Sequence, residues 1–426
     1  MIFNDIVEVL YAPKRAFKRI IENPKYLGAL IILLLFIGVE IGFEYIQFSR
    51  TYSENTSPAI NQLPMYSNAT LWRTSSDVAL SNNYDDFFNY SVYVAAFNVP
   101  PSDPQGYYSL FGNSSLAINA NNTKTVSAAL GNVFNLNCNT GGFQNISTTI
   151  KLVSPQTTPQ NADLVLYSLS DSNFYTYDLT SLLSNNTAIS LWQNLTIPVG
   201  PNAQGWSSSG TPTWSNITSL KLDFNYATPS NVTIHIGALF FRGQYETPIQ
   251  LGIADFLLGF LERFSLQFLF SWFLLTALIY IFFKGFKANV VWKPLFIAVV
   301  FALFVMVIRA LINLGGALTL PNVYYPFDVS PGATINVLGA ISYPANAAGV
   351  LSIMSQSAVS VINSATSSIV FITLVAFAIG YVWLGAVCTV IVGTLNPVFS
   401  LTKRIIISAV SVGVTILLLL LLVTIA

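Results

Sequence analysis

Groups able to do chemistry are few in this chain of 426 residues: one histidine, His235, two cysteines, Cys138 and Cys388, and 18 acidic side chains. Count alone excludes a multi-histidine metal centre, a haem held by two histidines, a disulfide framework and any triad that needs a second histidine. Cys138 lies in a polar stretch and Cys388 in an apolar one, so the two do not bridge. There is no phosphate-binding loop, no H-E-x-x-H and no G-x-S-x-G. Asp85 and Asp86 read as a solvated turn, and His235, after Thr233 and Ile234 in a strand-like run, as a structural residue. Ten acidic residues fall within 51–247, enough for a glycosidase pair, yet no spacing singles out two of them. The expectation is a protein that is not an enzyme and carries neither metal nor cofactor.

Ionisable groups inside apolar runs are the sharper signal, because a charge away from water is costly and usually has a partner. Glu40 lies 15 residues beyond Lys25, and Arg309 lies 16 beyond Lys293. At ~1.5 Å per residue both stand roughly 22–24 Å above their basic ends, which makes them a candidate ion pair. Glu44 is one turn above Glu40. Arg263 enters from the opposite end, about 31 Å above Lys284, and makes a second candidate pair with it. Such pairs serve either as a clamp on helix packing or as a polar, proton-coupled path. The last two apolar runs carry no charge at mid-length, which speaks for the clamp.

The elements that must position these groups follow from composition. The chain is 53% hydrophobic and 8% charged, where a soluble domain is about a quarter charged. Its net charge of zero argues against a nucleic-acid partner recruited by bulk positive charge. The apolar residues gather in five runs, 26–48 and about 264–283, 295–316, 367–394 and 405–426, each near the ~20 residues that cross a hydrocarbon core. Basic residues cluster before the first run, between the second and third, and between the fourth and fifth. By the positive-inside rule the amino terminus is cytoplasmic, while 49–247 and the carboxyl terminus lie outside the cell membrane. The apolar character continues past residue 40 with no A-x-A-like site after it, so the first span is expected to be retained.

Residues 49–247 are rich in Asn, Ser, Thr and Gly. They hold all ten N-x-S/T sequons, at Asn55, Asn68, Asn89, Asn113, Asn121, Asn145, Asn185, Asn194, Asn216 and Asn231, as a glycosylated outer domain would. Runs at 126–136, 147–153, 162–169, 189–199, 217–227 and 231–243 favour β-strands between Asn/Gly/Pro/Ser turns. Trp192, Trp206 and Trp214, with Tyr175 and Tyr177, either offer flat faces to a glycan or fill the sandwich core and its rim. A domain of this size without disulfide potential suits an archaeal cell surface better than a eukaryotic secretory compartment. The loop 317–366 leads towards the fourth span through GVLSIMSQSAVSVINSATSS, a weakly amphipathic run that could form a helix or dock under the β-domain.

Residues 1–25 form a leader in which Ile2, Ile6, Val9, Leu10, Ala16, Phe17, Ile20 and Ile21 recur at helical spacing. Lys14, Arg15, Lys18 and Arg19 interleave with them, Pro13 splits the segment, and Asn23-Pro24 ends it. This is either a broken amphipathic helix on the inner leaflet or an ordinary juxtamembrane helix. LYAPKRAFKRIIENPKYLGALIILLLF at 10–36 resembles the opening of Yip-domain membrane proteins, and 292–312 and 399–422 are similar to their later helices. The resemblance implies five spans and a role in membrane trafficking with small-GTPase partners; the large segment inserted after the first span departs from it. NFYTYDLTSLL, GWSSSGTPTWSNITSLKLDF and VTIHIGALFFRG resemble galactose-binding-like jelly rolls of carbohydrate-binding modules. Gly237-Ala238 stands where such folds often place an acidic residue, so a calcium site is not expected.

The fold expected is a multi-pass α-helical membrane protein of five transmembrane helices with an extracytoplasmic all-β sandwich between helices 1 and 2, the remaining helices occupying 248–426. The function expected is that of a non-enzymatic Yip-like protein that organises membrane or protein partners, in contact with the lipid bilayer and a membrane-protein partner or a second copy. Two alternatives stay open: a membrane-anchored receptor with a glycan ligand, and a transporter or accessory subunit of a membrane complex.

Overall fold

The structure is a computed structural model, and it describes residues 2–87, 112–131, 134–184, 189–326, 334–335, 341–342 and 356–425. The leader folds as two helices, α1 (Ile2–Tyr11) and α2 (Pro13–Glu22), with Pro13 in the first turn of α2, where its missing N–H costs nothing. After Asn23-Pro24 comes α3 (Tyr26–Ser49). The later helices are α4 (Ile253–Gly285), α5 (Trp292–Ala302), α6 (Phe304–Ala317), α7 (Gln356–Leu395) and α8 (Leu401–Ile425). Helices α5 and α6 are one rod with a tightened turn at Leu303, whose carbonyl takes the Met306 N–H at 2.8 Å. Five helices are thus long and apolar enough to cross a membrane: α3, α4, the α5–α6 rod, α7 and α8.

Within the helical part the rod is central. Leu295 and every residue from Ile297 to Val307 are buried, as expected of a helix that is apolar all round. The other four expose apolar side chains on one side: Leu30 and Leu34 on α3, Leu266 and Phe273 on α4, Phe371 and Leu374 on α7, Ile406 and Leu417 on α8. The leader lies against this bundle. Its apolar residues Ile6, Val9, Ala16, Phe17 and Ile20 belong to the same core as α5 and α7, so that stripe is covered by protein, while Phe3, Val7 and Tyr11 of α1 are exposed.

Between α3 and α4 the chain forms strands β1 (Thr51–Ser57), β2 (Trp72–Thr74), β3 (Val78–Asn83), β4 (Ser115–Leu130), β5 (Asn145–Ser154), β6 (Asn161–Ser168), β7 (Ser170–Asp178), β8 (Gln193–Pro198), β9 (Trp206–Ser209) and β10 (Ile217–Glu246). The two runs expected at 217–227 and 231–243 are the halves of one long β10, with register shifts between Asn225 and Val232. β4 pairs antiparallel along its length with Leu220–Ile236 of β10, and the two divide the strands between two layers. One layer is β3–β4–β10–β5–β8, built on Val232–Gly237. The other is β2–β4–β10–β6–β7–β9, built on Leu220–Asn225. Alternate residues of both layers, among them Ile118, Leu152, Ile234 and Ile236 in the first and Val126, Leu166, Leu222 and Phe224 in the second, meet in a single core.

The end of β10 continues past the sandwich and pairs with β1, Ser53 opposite Glu246 and Ser57 opposite Phe241. β1 in turn pairs in parallel with β11 (Val323–Tyr325), which follows α6. Arg242 and Glu54 close a two-pronged ion pair, both contacts at 2.9 Å. Tyr52 stacks on Tyr324 at 4.9 Å, and Tyr245 meets Tyr324 edge-on at 5.4 Å. Beneath the strands Phe43, Leu320, Val323, Tyr325, Ile362 and Ile369 form a small core shared by strand and helices. Of the run expected either to form a helix or to dock under the β-domain, the part from Gln356 onward is helical, as the start of α7, and residues 349–355 lie outside the described residues; it is Val323–Tyr325, earlier in the 317–366 loop, that pairs with β1.

Candidate functional site

His235 sits on β10 with its neighbours Ile234 and Ile236 turned into the core, so its imidazole faces the other side of the layer. The ladder places Ala117 of β4 on one side of it and Lys151 of β5 on the other. Asp86, on the turn after β3, reaches over this row. Its Oδ2 lies 2.9 Å from His235 Nδ1 and 2.9 Å from Lys151 Nζ. Trp192 Nε1 donates to Asp86 Oδ1 at 3.3 Å, and the Ser115 hydroxyl donates to the Asp86 carbonyl at 2.6 Å. Asn83 Nδ2 stands 3.2 Å from His235 Nε2. With Nδ1–H donating to the carboxylate, Nε2 accepts from the Asn83 amide, which sets the tautomer.

Electrostatics agrees with that assignment. Burial is the main force lowering the His235 pKa below its ordinary value, and Asp86 only partly opposes it. Asp86 is itself partly buried, which disfavours its charge, but Lys151 and His235 outweigh this and hold its carboxyl below the usual range. The resting arrangement is a Lys151–Asp86 ion pair beside a neutral imidazole. The imidazole nitrogens are both engaged, so His235 has no free lone pair for general-base work. What the cluster does is pin the 84–87 turn to the sheet and fix the Trp192 indole beside it. The pairing of Asp86 with His235 corrects the expectation of a merely solvated turn; Asp85 is exposed, as a turn residue would be.

A second polar group lies on the other layer. Register places Asp223, Asp163 and Asp178 side by side across β10, β6 and β7. Asp223 is occupied by Lys221 at 2.7 Å and by the Ser127 hydroxyl at 2.5 Å, and Asp178 accepts from the Thr180 backbone at 2.7 Å. Asp163 is raised above the ordinary carboxylate value, by burial first and then by the charges of Asp178 and Asp223. Among the described residues no group of three or more His, Cys, Asp and Glu side chains is arranged to hold a metal. Cys138 and Cys388 are both buried free thiols, and burial pushes the Cys138 thiol up to about 12.

The five aromatic candidates divide four to one. Tyr175 and Trp214 stack at 3.8 Å, Trp206 packs edge-on against Trp214 at 5.4 Å, and Tyr177 leans on Trp206 at 5.2 Å. Tyr175 and Trp214 are part of the sandwich core, with Tyr177 and Trp206 half-buried against it. Trp192 stands apart, its indole 6.3 Å from the His235 ring.

In the helical part the structure joins Glu40 to Arg309, Oε1 to Nη2, at 2.7 Å. The Arg309 guanidinium also lies 6.0 Å from the Tyr381 ring, and Gly380 of α7 leaves room for its side-chain carbons. Glu44 and Arg263 form no direct ion pair among the described residues, although the Arg263 charge acts on Glu44; Arg263 is exposed, while Glu44 is buried with Oε2 lacking a hydrogen-bond partner. Of the ten sequon asparagines, Asn68, Asn113, Asn121, Asn194 and Asn231 are exposed, whereas Asn55, Asn145 and Asn216 are half-buried. Asn55 Nδ2 donates to Glu246 at 2.7 Å. Asn89 and Asn185 lie outside the described residues.

Neither a protein-family model nor a curated protein sequence matches the chain. Among solved structures it is similar to a family 11 carbohydrate-binding module from Clostridium thermocellum, in complex with a β-1,3-1,4-mixed-linked tetrasaccharide: 12% identity, 40% of this chain and 88% of that one, TM-score 0.24. It is also similar to a structure described as the basis for promiscuous specificity of carbohydrate-binding modules from the β-sandwich superfamily, at 9% identity, 41% of this chain, 58% of that one and TM-score 0.25. An exo-β-agarase matches at 8% identity, 43% of this chain, 25% of the enzyme and TM-score 0.28. The likeness is one of strand arrangement alone.

Proposed function

We propose that the chain is a multi-pass membrane protein that holds a non-catalytic β-sandwich rigidly above its membrane helices and organises protein or lipid partners there. The single observation that carries this reading is the β10–β1–β11 junction. An anchor for a free-standing receptor needs only a tether, yet here three strands, the Arg242–Glu54 pair and the Tyr52–Tyr324–Tyr245 stack fasten the sandwich to the ends of α3 and α6. The rows of exposed apolar residues on α3, α4, α7 and α8 support burial in a bilayer, since soluble surfaces rarely carry such patches. The Yip-domain resemblance of the leader and later helices supports a partner-organising role. Cross-linking the full chain in its own membranes, followed by purification in mild detergent, tests it. A reproducible partner or homo-oligomer is expected; recovery as a lone chain refutes the proposal.

A second reading is glycan binding, favoured by Trp192, a half-buried indole fixed beside Lys151 and Asp86 on the outward side of one layer. The stacked Tyr175 and Trp214 support it less, being spent on the core. A glycan array probed with the full chain in nanodiscs tests this reading, with Trp192→Ala expected to abolish any binding found.

A further inference from the structure

The leader spends its cations unequally. Arg15 and Arg19 both turn to Glu8, and Arg19 Nη2 also meets Asp5 Oδ1 at 2.6 Å. Lys14 and Lys18 are exposed and form no ion pair among the described residues. They are one helical turn apart on α2, where like charges repel. Both line a groove of about 640 Å³ between α2 and the turn that joins α7 to α8, within the ~300–1,000 Å³ of small-molecule clefts.

The opposite wall supplies a third cation. Arg404 is held in place by its own backbone neighbours, Nε donating to the Phe399 carbonyl at 2.8 Å and Nη2 to the Pro397 carbonyl at 2.7 Å. Among the described residues Nη1 has no such bond, and it lies over Gly393, where a Cβ would come within 2.6 Å of it. Against these three cations the groove offers one carboxylate, Glu22, while Val390 and Leu401 give it an apolar flank. The hydroxyls of Thr389 and Thr394, also on its wall, are donated back to the carbonyls of Gly385 and Val390. The groove is thus positively charged, has a fixed guanidinium edge, and borders the apolar surface of two long helices. Basic pockets between helices at the cytoplasmic end of a membrane protein suit phosphate-bearing lipid headgroups.

We propose that this groove binds the headgroup of an anionic phospholipid, with Lys14 and Lys18 as charge contacts, Arg404 as the directed donor, and the acyl chains leaving over Val390 and Leu401. The inference rests on the membrane-spanning reading of the helices. Its test is native mass spectrometry of the full chain released from nanodiscs of mixed phosphatidylglycerol and phosphatidylcholine. Phosphatidylglycerol should be retained about fivefold or more over its bulk share. The enrichment should vanish in Lys14→Gln/Lys18→Gln and return in Lys14→Arg/Lys18→Arg, with Lys124→Gln on the β-domain as control. Equal retention of both lipids, or enrichment untouched by the glutamine pair, overturns the proposal. Displacement of the lipid by excess inorganic phosphate also overturns it, in favour of a soluble phosphate ligand. Release of the chain from membranes by alkaline carbonate would instead refute the membrane reading, which separates the two failures.

Discussion

His235 Nδ1 lies 2.9 Å from Asp86 Oδ2, a contact between residues 149 positions apart that ties a surface turn to the middle of a sheet. Its stability has a definite pH sign. Burial lowers the His235 pKa, so the unfolded chain takes up a proton near pH ~6.5 while the folded one resists until lower pH. The contribution is complete above that point and is lost as pH falls towards the folded value. Asp86, also held low, adds a second loss deeper in acid. Thermal unfolding of the β-domain, followed by near-UV circular dichroism, should therefore weaken steadily from about pH 7 to about pH 5. His235→Gln should flatten that part of the curve.

Asp163 has the opposite sign. Burial and the charges of Asp178 and Asp223 raise its pKa, so its contribution is favourable at low pH and is lost as pH rises through the folded value. Asp163→Asn should raise the unfolding temperature at about pH 7 and leave it unchanged at about pH 3. A drop at neutral pH would mean that the carboxylate is needed there for something other than stability.

The Glu40–Arg309 pair should behave as a buried ion pair does. Glu40→Gln strands a guanidinium whose side chain is only 11% exposed and is expected to cost about 3–5 kcal/mol, whereas Glu40→Gln with Arg309→Met should recover most of the loss. Melting of the full chain in detergent, read by size-exclusion fluorescence, measures both. A double variant as unstable as the single one would refute the clamp.

Glu44, one turn further along α3, has a buried carboxyl oxygen without a partner. Glu44→Gln is expected to be neutral or stabilising by up to about 1 kcal/mol, since it removes a poorly satisfied ionisable group. The same melting assay in detergent distinguishes it from Glu40→Gln, and a large loss would reveal a partner for Glu44.

Glu54→Gln breaks the two-pronged contact with Arg242, whose partner side chain here is only 2% exposed. A loss of about 2–4 kcal/mol is expected at the junction. It should appear as faster limited proteolysis near residues 50 and 247, with Trp fluorescence of the sandwich core preserved.

The parts legible in the sequence are those governed by one local rule. Apolar run length locates the five long helices, and helical rise converts position into height, which is why the spacing alone pairs Glu40 with Arg309. The same arithmetic puts Arg263 level with Glu44 but says nothing of azimuth, and Arg263, though its charge acts on Glu44, is exposed and makes no direct contact with it. Period-two alternation located most strands. It could not place Trp214 and Tyr175 in the core and Trp192 on the face, because that depends on which strands become neighbours. Asp86 and His235 were harder still: their meeting requires the register of β3, β4 and β10 at once. The leader's periodicity was plain, but period alone does not tell a lipid-facing stripe from one covered by α5 and α7.

The β11 pairing has a mechanical consequence. β1 leaves α3 and runs antiparallel to the end of β10 and parallel to β11. A pull on the sandwich directed away from the helices loads the rungs of these ladders together, in shear, instead of peeling them one after another. Torque on the sandwich is likewise carried into α3 and α6 at once, and the β-domain is a lever arm whose fulcrum is three short stretches of backbone.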